Sequence, residues 1–246
     1  MRLRAALAVG LVLIAGPALA QQLSIDLGGG TGAGEAGQSL SLRSVQLLLL
    51  ITVLSIVPGL AVMVTCFPFI VTVLSILRQA IGLQQAPPNM LIISLSLFLT
   101  WFVMDPVFTE AWVKGIEPMT NGQIEVGPGI QAAIAPFRSF MALRVDPETL
   151  QTLQDLRSTT AVTPAEAPLS LLVPSFLLSE IQRAFEIGFM IFLPFLIIDL
   201  VVAAILMSMG MMMVPPAVVS LPFKLVFFVV ADGWALVSGA LVRSYF

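Results

Sequence analysis

The feature that most constrains this chain is a run of 33 residues, 45–77, without a single formal charge. A straight helix of that length extends for about 50 Å, which exceeds the roughly 30 Å hydrocarbon core of a bilayer. Pro58, Gly59 and Pro68 interrupt the run. We therefore expect either one kinked, tilted helix or two half-helices in a hairpin.

The composition extends this conclusion to the whole chain. Hydrophobic residues make up 58% of the sequence and charged residues only 10%, whereas soluble globular proteins carry about 25% charged residues. Three further apolar runs follow, at 90–104, 187–209 and 222–242. The predicted fold class is all-α: a helical membrane protein of long kinked helices and helical hairpins, with about four apolar segments and a small polar helical insert.

The N-terminus is typical of a cleavable signal peptide over residues 1–20. Two arginines precede a short apolar core, and the small residues at 18 and 20 predict cleavage between Ala20 and Gln21. An uncleaved first membrane helix is the alternative. The predicted organisation after residue 20 is a flexible glycine-rich linker (21–44), a first apolar hairpin (45–106), a polar helical insert on the periplasmic side (107–184) and a second apolar hairpin with a methionine-rich loop (185–246).

Several classes of function are disfavoured by what the sequence lacks. It contains no histidine, which removes the commonest general base and the commonest metal ligand. Its single cysteine, Cys66, lies in an apolar stretch and is expected to be a small buried hydrophobe. No basic patch indicates nucleic-acid binding. We therefore expect no catalytic residue, no metal and no cofactor.

The polar insert contains helix signals. Asp146-Pro147-Glu148 combines an N-cap acceptor, a proline for the first helical position and an acid in the first turn. The residues predicted to line one face of that helix are Leu150, Leu153 and Leu156. A second helix, kinked at Pro136, is predicted from the spacing of Ile130, Ile134, Phe137 and Met141.

Charged residues near the apolar segments are candidate site residues. Glu180, Arg183 and Glu186 are each three residues apart, so neighbours in this row can pair. We interpret them as an ion-paired helix surface near a partner or the membrane interface. A conduit-lining role is the alternative.

Three charges fall inside the predicted spans: Asp199, Lys224 and Asp232. An ionisable group at membrane depth costs at least about 2.5 kcal/mol and needs a partner or a wet cavity. If the last two spans form a hairpin about residue 212, Asp199 and Lys224 lie 13 and 12 residues from the bend. They would then face each other at nearly equal depth, either as a structural salt bridge or as part of a proton or ion relay.

A methionine-rich run separates these two spans. Five methionines fall within residues 207–213, followed by Pro215 and Pro216. Methionine is unbranched and polarisable, so it fills gaps of changing shape, while Gly210 and the proline pair disfavour a regular helix. The run is either a membrane hairpin turn that packs against lipid or a neighbouring helix, or a deformable ring that lines a constriction.

Six stretches of the chain carry a further signal: APFRSFM at 135–141, FEIGF at 185–189, PFLIIDLV at 194–201, GMMMVPP at 210–216, LPFKL at 221–225 and DGW at 232–234. Taken in this order, they resemble the FliP family of bacterial flagellar export-gate proteins. The resemblance extends over roughly residues 45–243 and includes the similar injectisome counterpart. The glycine-rich linker contributes nothing to it.

The resemblance implies a protein-conducting gate of the type III secretion apparatus rather than an enzyme. Such a protein would form a homo-oligomer of five copies with FliQ and FliR in the inner membrane, at the flagellar basal body. It would dock to FlhA and FlhB and pass unfolded protein substrates. The resemblance favours the ring interpretation, with a gasket of Met209, Met211, Met212 and Met213. The residues it implies as subunit contacts or conduit positions are Phe137, Arg138, Phe140, Glu180, Arg183, Glu186 and Asp232.

The main alternative function is a small-molecule or ion transporter or channel, since broken apolar segments and intramembrane charges suit that class. No repeated pair of interrupted helices is evident in the sequence. A transporter predicts solute flux by the purified chain alone, whereas a gate predicts function only in a multi-subunit complex.

Overall fold

A computed structural model describes residues 35–83, 86–157, 163–211 and 213–246. The predicted signal peptide, its junction at Ala20 and Gln21, and most of the predicted linker lie outside these residues. The described elements are α1 (Glu35–Met63), α2 (Phe67–Ile81), α3 (Asn89–Ala111), a π-helical turn (Trp112–Ile116), α4 (Glu117–Thr120), α5 (Val126–Arg144), α6 (Pro147–Arg157), α7 (Leu169–Ser208), α8 (Pro216–Val230) and α9 (Gly233–Arg243).

The described chain contains no strand, so the predicted all-α membrane class is confirmed. Three helical stretches are long and apolar enough to cross a membrane, namely Val45–Met63, Asn89–Thr120 and Leu169–Ser208. The pair α8 and α9 makes a fourth if it is counted as one broken span. The chain divides into two units, Met1–Val53 and Leu54–Phe246. In the first unit, the side chains of residues 45–52 are exposed.

The uncharged run is two helices rather than one. Helix α1 ends at Met63 and α2 begins at Phe67. Between them, the Thr65 hydroxyl donates to the carbonyl of Val62 at 2.7 Å and accepts from the amide of Phe67 at 3.3 Å. Pro68 follows in the first turn of α2, where its missing N–H leaves no helical bond unmade.

Helix α2 is at the centre of the second unit, where it packs against α7, α3 and α8. Its fully buried side chains recur at helical spacing: Phe69, Ile70, Val73, Leu74 and Leu77. Each such side chain gains many small van der Waals contacts by packing inside the protein. Gly188 of α7 lies so close to α2 that a Cβ there would overlap Ile76. This close approach explains a glycine in the middle of a long apolar helix.

Helix α3 continues past the position where the sequence predicts a stop. The predicted apolar run ends at residue 104 and the predicted first hairpin at residue 106, but α3 extends to Ala111 and leads into the π-helical turn. Proline removes one backbone bond and bends a helix without always ending it, and neighbouring helices can compensate. The predicted boundary at residue 106 therefore lies within a helix.

The predicted insert helices are present, but their faces differ from the prediction. Asp146 precedes α6, which begins at Pro147 as predicted. Leu150 is buried, whereas Leu156 is 78% exposed. At 100° per residue, Leu156 lies about 120° around the helix from Leu150, so the two cannot share a buried face. Gln154 takes the buried position instead.

Helix α5 also buries only part of its predicted face. Phe137 and Met141 pack in the interior, whereas Ile130 and Ile134 are exposed. Met141 joins a small second core with the start of α7; its other members are Val145, Leu150, Ala167, Leu171, Leu172 and Phe176.

The last two elements correct the prediction of one continuous final span at 222–242. Helix α7 is 40 residues long and runs without interruption through residue 185, where the second hairpin was predicted to begin. Helix α8 already begins at Pro216, and α9 departs from it at an angle of 61°. Asp232 lies at this break with φ +48°, a left-handed conformation in which aspartate is enriched among non-glycine residues.

Candidate functional site

Helix α7 ends in a defined turn that carries the methionine-rich run. Its final carbonyls accept two bonds, from the Gly210 amide to Met207 at 3.0 Å and from the Met211 amide to Leu206 at 3.0 Å. Gly210 has φ +73°. This pair of bonds closing over a left-handed glycine is the Schellman motif. The helix end is therefore fixed by backbone geometry, and α8 begins directly after Pro215.

The described methionines of this turn are partly or almost fully exposed on the single chain. Met213 is 97% exposed, Met209 65% and Met211 37%, while Met212 lies outside the described residues. By contrast, Met104 and Met141 are fully buried in the two cores. We call residues 207–214 the methionine turn. A single chain leaves its large apolar side chains free to contact something outside that chain.

A partly buried charge pair joins α7 and α8, the two helices that flank the methionine turn. Lys224 Nζ of α8 is 2.6 Å from Asp199 Oδ2 of α7, and the Ser220 hydroxyl donates to Asp199 Oδ1 at 2.6 Å. Lys224 also donates to the carbonyl of Ala80 at 3.1 Å. That carbonyl belongs to the last turn of α2, where carbonyls lack intrahelical partners and a cation is favoured. The predicted proximity of Asp199 and Lys224 is therefore observed, and the pair connects three helices.

A second charge cluster surrounds Glu180 of α7, which is fully buried. Its Oε1 is 3.0 Å from Arg144 Nε and 3.2 Å from Arg183 Nη1. Its Oε2 accepts a hydrogen bond from the Tyr245 hydroxyl. The expectation of an ion-paired surface row is therefore wrong for Glu180, because two arginines and a tyrosine compensate its charge inside the protein. Arg183 is its partner, as the spacing predicts.

The last residue of that row does not take part in the cluster. Glu186 is exposed and accepts a hydrogen bond from Gln182 at 3.2 Å. This bond runs from residue i to i+4 along one helix face. In the predicted row of three charges, Glu180 is therefore internal, whereas Glu186 lies on the surface.

Arg144 and Tyr245 are the functional candidates that the sequence analysis missed. The Arg144 guanidinium lies 4.1 Å from the centroid of the Tyr245 ring, and its Nη1 donates to the carbonyl of Ser244 at 2.9 Å. Its buried Nη2 has no hydrogen-bond partner. The only sequence signal is that Tyr245 is the one tyrosine in the chain.

Ionisation of two groups near this cluster is disfavoured. Burial, followed by the charge of the Glu180 carboxylate, raises the pKa of Tyr245 well above its ordinary value, so its hydroxyl remains a donor. Burial raises the pKa of the Cys66 thiol to about 12. Cys66 is fully buried, and its predicted burial is confirmed.

Of the remaining predicted residues, Phe137, Arg138 and Phe140 lie together on α5, whereas Asp232 lies apart from them. Phe137 and Phe140 are half-buried and pack within the chain, 5.8 Å from the rings of Phe108 and Phe176 respectively. Arg138 Nη1 donates to the carbonyl of Ala165 at 3.4 Å. The side chain of Asp232 is exposed at the break between α8 and α9. No group of acidic or cysteine side chains in the described ranges is arranged to hold a metal ion.

The sequence of this chain matches a known family over most of its length. The model of the FliP family matches residues 50–241, which include α2 to α8, the Asp199–Lys224 pair, Glu180 with its two arginines, and the methionine turn. The chain belongs to the FliP family. It is thus a component of flagellar protein export in a membrane-associated complex, and the family is not known as a family of enzymes.

Individual relatives share the FliP assignment over nearly the whole chain. The flagellar biosynthetic protein FliP of Caulobacter vibrioides is 49% identical over 239 residues, covering 97% of this chain and 88% of the relative. That of Aquifex aeolicus is 42% identical and covers 96% of this chain and 97% of its own length. The FliP protein of Bacillus subtilis is 43% identical, and the match covers 82% of this chain and 92% of the relative.

Proposed function

We propose that this FliP protein is a core subunit of the flagellar type III export gate and that its methionine turn seals the conduit. In this proposal, five copies assemble with FliQ and FliR in the inner membrane at the flagellar basal body, and the complex docks to FlhA and FlhB. Unfolded flagellar proteins are the substrates. Membership of the FliP family supports the export role.

The observation that carries the sealing role is the exposure of the turn's methionines on a fixed backbone. Gly210 and the two backbone bonds set the path of the turn, while Met209, Met211 and Met213 project from it. Several copies of such a turn around one axis would bring flexible thioethers together. Their contacts are apolar and non-directional, so a ring of them would exclude ions and still deform around chains of any sequence.

The Asp199–Lys224 pair supports a seal in which the methionine side chains move while the flanking helices stay in place. Asp199 and Lys224 join α7 to α8, and the Ala80 carbonyl adds α2. A buried ion pair with additional hydrogen bonds fixes relative geometry even where its net contribution to stability is small. The helices that flank the turn would therefore remain in place while its methionine side chains move.

Site-specific crosslinking of a stalled export substrate tests the proposal. A photo-reactive amino acid is placed at Met211 or Met213 in the assembled complex, with export of a substrate arrested by a tightly folded C-terminal domain. The matched control is the same amino acid at Met190, a methionine of α7 that is 68% exposed and remote in sequence from the turn. We expect adducts from the turn and none from position 190.

A substrate adduct from Met190 with none from the turn would place the conduit elsewhere and refute the proposal. Adducts must also disappear when the substrate's export signal is deleted. This second control distinguishes a chain in transit from one that is bound nonspecifically to an apolar surface.

A further inference from the structure

The residues that follow α9 reach back to the Glu180 cluster. The carbonyl of Ser244 accepts a bond from Arg144, and the hydroxyl of Tyr245 donates to Glu180 Oε2. These contacts join positions 100 and 65 residues apart in the sequence. They connect the end of α9 to both α5 and α7.

The Tyr245 ring is held on several sides. Arg144 lies over the ring face, the ring of Phe140 stacks with it at 6.0 Å, and Phe69 meets it at an interplanar angle of 77° and 5.6 Å. A guanidinium over an aromatic face and aromatic pairs in these arrangements are favourable. The Tyr245 ring therefore covers Arg144 and Glu180, which would be exposed in its absence.

We infer that Ser244 and Tyr245 form a clasp that closes over Glu180 and fixes the end of α9 against α5 and α7. Tyr245 is a positioning residue: its hydroxyl satisfies Glu180 Oε2, and its ring orients the Arg144 guanidinium. Helices α8 and α9 are thereby attached to α7 at two separate points, at Asp199 near the methionine turn and at Glu180 far from it. This inference is independent of the export role.

The native cysteine of this chain can report whether the clasp opens. Cys66 is the single cysteine, is fully buried, and lies one residue before the start of α2, three residues from Phe69. It belongs to the same core cluster that Tyr245 packs against. Local opening of the clasp would admit a small thiol reagent to this core without unfolding the rest of the protein.

The test is the rate at which N-ethylmaleimide labels Cys66 in the full chain in detergent. Tyr245→Phe removes only the hydroxyl, and a hydrogen bond to a charged group is lost. We expect labelling to become about ten- to hundredfold faster. The control is Phe246→Leu, since Phe246 is the exposed neighbour of Tyr245 and should leave the rate unchanged.

The way in which the Cys66 labelling rate depends on denaturant concentration distinguishes opening of the clasp from a general loss of stability. Opening of the clasp exposes little surface, so the faster rate should be insensitive to low denaturant, whereas labelling through global unfolding rises steeply with it. An unchanged rate in Tyr245→Phe, or an increase with the denaturant dependence of global unfolding, would overturn the inference. Arg144→Lys, which retains the charge but loses the bond to Ser244 and the ring contact, gives the same test independently.

Discussion

At the scale of single residues, the two members of the Asp199–Lys224 pair differ in how much water reaches them. The Lys224 side chain is 7% exposed and that of Asp199 30%, so the lysine depends more on its partners. If Asp199 is removed, Lys224 retains only the Ala80 carbonyl. If the Lys224 side chain is removed, the Asp199 carboxylate still accepts a hydrogen bond from the Ser220 hydroxyl. Water also still reaches its exposed part. The cost of breaking the pair should therefore be unequal.

Asp199→Leu is expected to lower the free energy of unfolding by about 3–5 kcal/mol, because it leaves a buried, uncompensated ammonium group. Lys224→Met should cost less. The double variant should recover most of the loss, since a buried pair replaced by apolar side chains is often neutral. Equilibrium unfolding of the four proteins in detergent checks this order. Equal costs for the two single variants, with no recovery in the double variant, would contradict it.

A second prediction at this scale concerns Gly210. Its φ of +73° is unfavourable for a residue with a Cβ, and nothing lies within 4 Å of the position that a Cβ would take. Gly210→Ala should therefore cost about 1–2 kcal/mol through the backbone alone. Gly210→Asn should cost less, because asparagine tolerates the left-handed region.

The matched control is Gly59→Ala in helix α1, where the added Cβ also meets nothing within 4 Å but φ is not positive. This variant should be neutral or slightly stabilising, since alanine has the higher helix propensity. Thermal unfolding of the three variants gives the comparison. A loss of stability in Gly59→Ala as large as that in Gly210→Ala would refute the backbone explanation.

At the scale of elements, local chemistry identifies the start of α6, but it identifies neither the end of α3 nor the buried face of α6. Asp146-Pro147 identifies the start of α6 because the cap uses only neighbouring residues. Pro106 does not end α3, because neighbouring helices determine whether a proline bends or breaks a helix. Gln154 is buried and Leu156 exposed because α7 determines which face of α6 is covered.

The α6 cap has a pH dependence with a defined sign. The Asp146 carboxylate accepts bonds from the amide and hydroxyl of Thr149, both at 2.8 Å, and these bonds lower the pKa of Asp146 below 3.8. Its stabilising contribution is therefore fully present above about pH 4 and is lost as the pH falls through the folded-state pKa.

Asp146→Ala should lower the free energy of unfolding by about 1 kcal/mol at pH 7. The gap between variant and parent should narrow as the carboxyl becomes protonated in the folded parent. Unfolding curves at pH 7 and pH 3 measure both quantities. Thr149→Val is the control for the hydroxyl, since it leaves the amide bond in place and should cost less. A difference that widens at pH 3 would contradict the proposed capping role.

At the scale of the whole molecule, one of the two polar contacts that connect distant helices of the second unit is predictable from the sequence and the other is not. The pairing of Asp199 with Lys224 follows from their distance to a predicted bend, and it is observed. The closure of Ser244 and Tyr245 over Glu180 brings together residues from α5, α7 and the end of α9. No local pattern encodes a contact between such distant segments. Only the folded chain reveals that Glu180 is internal.

Ion leak through the assembled complex is the sharpest test of whether the methionine turn seals the export gate. Met211, Met212 and Met213 are all changed to alanine, which shortens the side chains and leaves Gly210 and the helix end intact. Membrane depolarisation and substrate export are measured in cells, and assembly of the complex is checked in parallel. Met90→Ala and Met190→Ala, at exposed methionines outside the turn, are the controls. A leak in the assembled triple variant, with tight controls, is the predicted result. An assembled triple variant that is tight and exports normally would contradict it.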